Sequence, residues 1–117
     1  MKTVPTYTAE INIGLREGYA GPLIRTSVLK DSVQAYVDEV GLCATFTDTQ
    51  FIYPGGREPG LKIGLINYPR FPKPNTYVKA QAITIASRLM VLAKQQRVTV
   101  VCTDETIMLE QSHTQTQ

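Results

Sequence analysis

Between Tyr7 and Leu15 polar and apolar residues alternate, with Ala9, Ile11, Ile13 and Leu15 on one face. A period of two predicts a half-buried strand. Gly18, Gly21 and Pro22 break it into a loop. Leu29, Val33, Tyr36, Val37 and Val40 then recur at helical spacing, with Thr26 or Ser27 as the starting cap and Gly41 as the stop. Residues 42–53, rich in Thr, Phe, Ile and Tyr, predict one strand or two. Residues 54–60, with two prolines and three glycines, predict a loop, and residues 61–68 a further strand. The prolines at 69, 72 and 74 stiffen the next segment. Asn75 is expected to cap a long helix from Thr76 to Gln95, with Ala82, Ala86, Leu89 and Ala93 on one stripe and Val78, Ile83 and Met90 widening it. Val98–Cys102 and Thr106–Leu109 read as two short strands, and residues 111–117 as a polar, flexible tail.

The order repeats itself. Ile13-Gly14-Leu15 is matched by Ile63-Gly64-Leu65 at an offset of 50, and Thr47-Asp48 by Thr103-Asp104 at an offset of 56. Residues 1–110 are therefore expected to form one α+β domain of two pseudo-repeats, about 7–54 and 61–110. A tandem β-α-β(-β) order predicts a ferredoxin-like two-layer sandwich: an antiparallel sheet with both helices on one face. The opposite face stays bare. Asn12, Thr45, Thr47, Lys62 and Thr99 make it partly polar, while Phe51, Ile66 and Val101 are apolar positions that favour a homo-oligomer.

Composition narrows the classes without choosing among them. The chain has 117 residues, 43% hydrophobic and 19% charged, which suits one globular domain. No apolar run nears the ~18 residues of a membrane helix, so no membrane partner is expected. The net charge of +2 divides into −2 for residues 1–60 and +4 for residues 61–117, with no basic cluster that would mark a nucleic-acid footprint. Cys43 and Cys102 lie in apolar runs and read as buried core thiols; with the lone histidine, His113, in the tail, no metal site is expected. No apolar leader follows Met1, and the expected location is the cytoplasm.

Signatures of catalysis are sparse. No nucleophile has a histidine base, and Gly55-Gly56-Arg57-Glu58-Pro59-Gly60 lacks the Gly-Lys-Ser/Thr ending of a phosphate loop. No cofactor is expected. Three loops instead join arginine to glycine or proline: Arg16-Glu17-Gly18-Tyr19, Gly55–Gly60 with Arg57, and Asn67-Tyr68-Pro69-Arg70-Phe71-Pro72. A guanidinium pairs with phosphate or carboxylate, and an aromatic ring stacks on a base. The expected function is non-enzymatic binding of an anionic or nucleotide-like small molecule. Arg16 and Arg70 would supply charge, Tyr19 or Phe71 stacking, and Asn67 a hydrogen bond. The loops after the first and third strands are read as sharing one sheet end, with Arg57 joining them only through a bend or a neighbouring subunit. Two alternatives stand beside this: an inhibitor-like module that binds a host protein, and a small enzyme using Glu17, Glu58 or Asp104 beside an arginine.

The strings Gly14–Tyr19, Phe51-Ile52-Tyr53 with Gly56–Gly60, and Ile66–Pro72 resemble those of small uncharacterised phage and prophage proteins, across roughly residues 7–110. The resemblance implies a phage origin and carries no activity with it.

Overall fold

A computed structural model describes residues 1–18 and 20–111 of the chain. Five strands and two helices follow in the order β1 (Thr8–Gly14), α1 (Thr26–Val40), β2 (Thr45–Tyr53), β3 (Gly56–Ile66), α2 (Asn75–Leu92), β4 (Arg97–Cys102) and β5 (Thr106–Glu110). The strands form one sheet in the order β2-β3-β1-β4-β5, and every neighbouring pair is antiparallel. The first four strands with their helices make the ferredoxin-like α+β sandwich, and β5 extends the sheet as a hairpin partner of β4.

The alternation read from the sequence sorts the two faces. Ala9, Ile11 and Ile13 of β1, Leu61, Ile63 and Leu65 of β3, and Val98 and Val100 of β4 are buried beneath the helices. From α1, Leu29, Val33 and Tyr36 reach into the same core; from α2, Val78, Ala82, Ile85, Ala86, Leu89 and Met90 do so. Ala82 and Ala86 carry no bulk beyond Cβ, which lets α2 settle close to the sheet over β1 and β4. Gly41 ends α1 in the left-handed region at φ 83°, its N–H donating to the Val37 carbonyl at 2.8 Å.

Several expectations shift. The segment 54–60 is not a long loop. Pro54 and Gly55 alone make the turn, Gly55 supplying φ 84°, and β3 begins at Gly56. Pro59 is tolerated inside β3 because that strand has there run past the end of β1; the Pro59 carbonyl accepts from Leu15 N–H instead, at 3.1 Å. The expected caps Thr26 and Asn75 are already helical, and neither helix start has a side-chain cap. The second helix stops at Leu92 rather than Gln95, with Lys94 at φ 54°. Cys43 is exposed, not a core thiol; Cys102 is buried, and both are free. Gln111, read as tail, is tied down by its N–H to the Gln96 carbonyl at 2.9 Å; residues 112–117, His113 among them, lie outside the described residues.

One polar strut crosses the layers. Tyr7, buried just before β1, donates its hydroxyl to Asp104 Oδ1 at 2.9 Å, and Lys79 of α2 reaches Asp104 Oδ2 at 3.0 Å and Glu105. Burial first, then the neighbouring Cys102 and Asp104, pushes the Tyr7 hydroxyl well above its usual range.

Candidate functional site

The site forms where β3 leaves the sheet. Asn67, directly after β3, is almost fully buried and uses both ends of its amide within the protein. Its Nδ2 donates to the Pro5 carbonyl at 3.0 Å and its Oδ1 accepts from Lys73 N–H at 2.9 Å. The two bonds close the segment 68–73 into a compact hump, helped by Phe71 N–H donating to the Tyr68 carbonyl at 2.9 Å. The hump carries a row of side chains over the edge of the core. The Tyr68 and Phe71 rings stand 6.2 Å apart at 43°, Arg70 lies 5.3 Å from the Phe71 ring, and Lys73 Nζ lies 5.2 Å from the ring of Tyr77 in the first turn of α2.

Beneath these side chains is a cavity of about 140 Å³. Tyr68, Phe71, Lys73 and Tyr77 form one wall, Leu65 and Val78 are buried at its base, and the α1–β2 connection with Leu42 and Cys43 forms the other wall. Gln81, one turn beyond Tyr77 on α2, also borders it. Past Cys43, Ile66 and Tyr68 the cavity opens into a groove of about 460 Å³ on the helix-free face of the sheet, where Glu10, Thr45, Gly64 and Val101 lie. Glu10 is held there by Lys62 Nζ at 3.1 Å, which also donates to Asn12 Oδ1 at 2.7 Å. The start of α2 is uncapped by any side chain, so its positive end adds to the Lys73 ammonium. Aromatic faces, an apolar base and positive charge at one end suit a ring-bearing ligand with an anionic part.

The arginine constellation expected from the sequence does not assemble. Strands β1 and β3 are antiparallel, with Thr8 opposite Ile66 and Gly14 opposite Gly60, so the loops that leave them exit at opposite sheet ends. Arg16 is therefore remote from Arg70, correcting the shared-end reading. Its Nη1 donates to the Gly21 carbonyl at 3.0 Å within its own loop. Arg57 is exposed near the β2–β3 turn, at the Arg16 end of the sheet. Tyr19 lies outside the described residues. Of the expected residues Phe71 lines the cavity, Arg70 lies against the Phe71 ring, and Asn67 braces the hump from within without lining the cavity. The carboxylates proposed for an enzyme are elsewhere: Glu17 is 3.8 Å from Lys94, Asp104 pairs with Lys79, and Glu58 lies beside Gly14. The carboxylate in the groove is Glu10.

Tyr68, present in the expected arginine loop but given no role there, Cys43, expected in the core, and Lys73, Tyr77 and Gln81, not expected at a site, all line the cavity. Tyr77 and Gln81 are four residues apart on one helix, the spacing that puts two side chains on one face. That signal was legible; their proximity to Cys43 was not.

No family model matches the chain, and no curated protein does. Among solved structures, a phage SAM lyase in complex with S-methyl-5′-thioadenosine superposes with a TM-score of 0.72 at 18% identity, covering 91% of this chain and 90% of that one. A phage SAM lyase in the apo state gives a TM-score of 0.70 at the same identity and coverage. The chain shares their fold. At this identity the likeness is one of architecture.

Proposed function

We propose that the chain binds a small nucleoside-like ligand, of the S-adenosylmethionine and methylthioadenosine class, in the cavity under Tyr68 and Phe71. The observation that carries this reading is the meeting of Tyr68, Phe71, Tyr77 and Lys73 around one apolar cavity at the end of β3. The shared architecture with a phage SAM lyase that was solved with a thionucleoside supports the ligand class. The rings provide stacking faces, Leu65 and Val78 an apolar floor for an alkylthio group, and Lys73 with the start of α2 the charge for a carboxylate. The same likeness, with the sequence strings noted above, supports a phage origin and, with it, residence in the host cytoplasm. Ile66, Val101 and Met108, exposed on the helix-free face, support self-association through that face. The test of ligand binding is equilibrium dialysis against a panel of S-adenosylmethionine, methylthioadenosine, adenosine and ATP. Retention of the first two is expected, and retention of none would reject the reading.

A second reading has one observation in its favour: Glu10 occupies the groove continuous with the cavity. In this reading the chain turns S-adenosylmethionine over: the substrate's own carboxylate closes on its γ-carbon, the carbon–sulfur bond breaks with its electron pair going to sulfur, and methylthioadenosine and an amino lactone leave, with Glu10 as the charged group beside the breaking bond. Chromatography of S-adenosylmethionine incubated with the protein tests it. Methylthioadenosine formed by the unaltered chain and not by Glu10→Gln is expected, and no conversion would reject it.

A further inference from the structure

Gln81 borders the cavity, but only half of its amide is free to face a ligand. From α1, Tyr36 donates its hydroxyl to Gln81 Oε1. Tyr36 is itself held in place: the residue is 8% exposed, and the Arg88 guanidinium lies 4.7 Å from its ring centre. A glutamine amide carries its carbonyl acceptor and its two N–H donors in one plane, the oxygen at one end and the donors at the other. In the structure Oε1 is the end turned to Tyr36, and Nε2 is the end left over. Among the described residues, Gln81 Nε2 has no hydrogen-bond partner. The unpartnered end of the group is thus its donor end. Tyr68 and Tyr77 offer ring faces and hydroxyls and Lys73 an ammonium; Gln81 is the one side-chain amide in the wall.

Resting on the nucleoside reading above, we propose that Gln81, oriented by Tyr36, is the specificity-determining residue of the cavity, and that it reads an in-plane acceptor of the ligand's base, a pyridine-type ring nitrogen. An amide free on both sides would pair with a donor and an acceptor together, as glutamine does with the amino group and adjacent nitrogen of adenine. Here the carbonyl is turned to Tyr36 and the donor half is the unpartnered one. Base recognition then depends on the ring nitrogen and little on the exocyclic amino group. Replacing that nitrogen by C–H leaves Nε2 facing a carbon, and a donor left unpaired in a desolvated site is costly.

The test is calorimetric titration of the full chain with methylthioadenosine and its 1-deaza, 3-deaza and 7-deaza analogues. The unaltered protein is expected to bind one analogue about 10-fold more weakly than the parent, the scale of one lost hydrogen bond. In Gln81→Leu the parent should weaken to the level of that analogue and the difference between them should vanish. Gln81→Glu keeps an oxygen for Tyr36 and replaces both donors; it should lose the difference too. Tyr36→Phe frees the amide to turn, and should shrink the difference while keeping most of the parent's affinity. Melting curves on each variant identify any that fail to fold; Gln81→Leu leaves the Tyr36 hydroxyl without its acceptor, whereas Gln81→Glu keeps that bond and serves as the second variant. Equal affinity for all four ligands in the unaltered protein, or a difference that persists in Gln81→Leu, would overturn this inference while leaving the ligand reading intact. No binding of the parent would overturn both.

Discussion

Gly14, the last residue of β1, stands opposite Gly60 of β3, and just beyond them Leu15 N–H donates to the Pro59 carbonyl at 3.1 Å. This pairing puts the exit of β1 beside the β2–β3 hairpin. The exit of β3 lies at the far end of a seven-residue strand, roughly 20 Å away at about 3.4 Å per residue. It divides the arginines into a remote pair, Arg16 and Arg57, and Arg70 beside the cavity.

Arg16→Ala and Arg57→Ala should therefore leave methylthioadenosine affinity within about two-fold of the unaltered protein, since distant sites act independently. Arg70→Ala removes the cation over the Phe71 ring and should weaken binding by roughly 2- to 5-fold, the size of an exposed cation–π contact. Titration of the three variants side by side measures this. A large loss in Arg16→Ala would mean that the ligand lies at the other end of the sheet.

Tyr68 and Phe71 are 44% and 59% exposed, so their replacement removes little from the core. Tyr68→Ala and Phe71→Ala should keep the melting temperature nearly unchanged while weakening the ligand. A base–aromatic stack is worth about 1–3 kcal/mol, which is roughly 5- to 150-fold in affinity. Thermal melting with and without ligand separates the two effects.

A side chain at Gly60 would meet the Phe51 ring and sit 2.9 Å from the Ile13 carbonyl. Gly60→Ala should cost about 1–3 kcal/mol, as overpacking does. Adding Phe51→Ala removes one of the two obstacles and should recover part of the loss. Urea denaturation of the single and double variants measures the coupling.

The Lys79 strut sets a pH window. Hydrogen bonding to Glu105 first and Asp104 second holds Lys79 above its ordinary value of 10.5. Lys79 first and Tyr7 second hold Asp104 below its ordinary 3.8. A raised base contributes below its ordinary value and loses the contribution as pH rises through the raised one. A lowered acid contributes above its ordinary value and loses it as pH falls through the lowered one. Lys79→Met should therefore melt below the unaltered protein by a constant margin between about pH 5 and pH 9, with the margin closing in strong acid. The margin should be small because the carboxylates are exposed. Melting temperatures across pH for both proteins check this.

Much of the fold was legible because its signals are local. Alternation at Ala9, Ile11 and Ile13, helical spacing at Leu29, Val33 and Tyr36, and the stop at Gly41 each depend on a few neighbouring residues. The element order then led to the sandwich. The site was less legible because it depends on strand direction and register, which are set by contacts distant in sequence. Reading the exits of β1 and β3 as one end joined Arg16 to Arg70; the pairing of Thr8 with Ile66 separates them. Asn67 was visible as a hydrogen-bonding residue, but only the fold shows that its partners are Pro5 and Lys73. Cys43 stands in an apolar run, yet it precedes β2 at the cavity rim, where no element covers it.

The cavity under Tyr68 and Phe71 is proposed to hold a thionucleoside. Isothermal titration of the full chain with S-methyl-5′-thioadenosine tests it most directly. Saturable binding to one site per chain, weakened in Phe71→Ala and unchanged in Arg16→Ala, is the predicted result. No heat of binding up to millimolar ligand, or binding lost in Arg16→Ala and kept in Phe71→Ala, would contradict it.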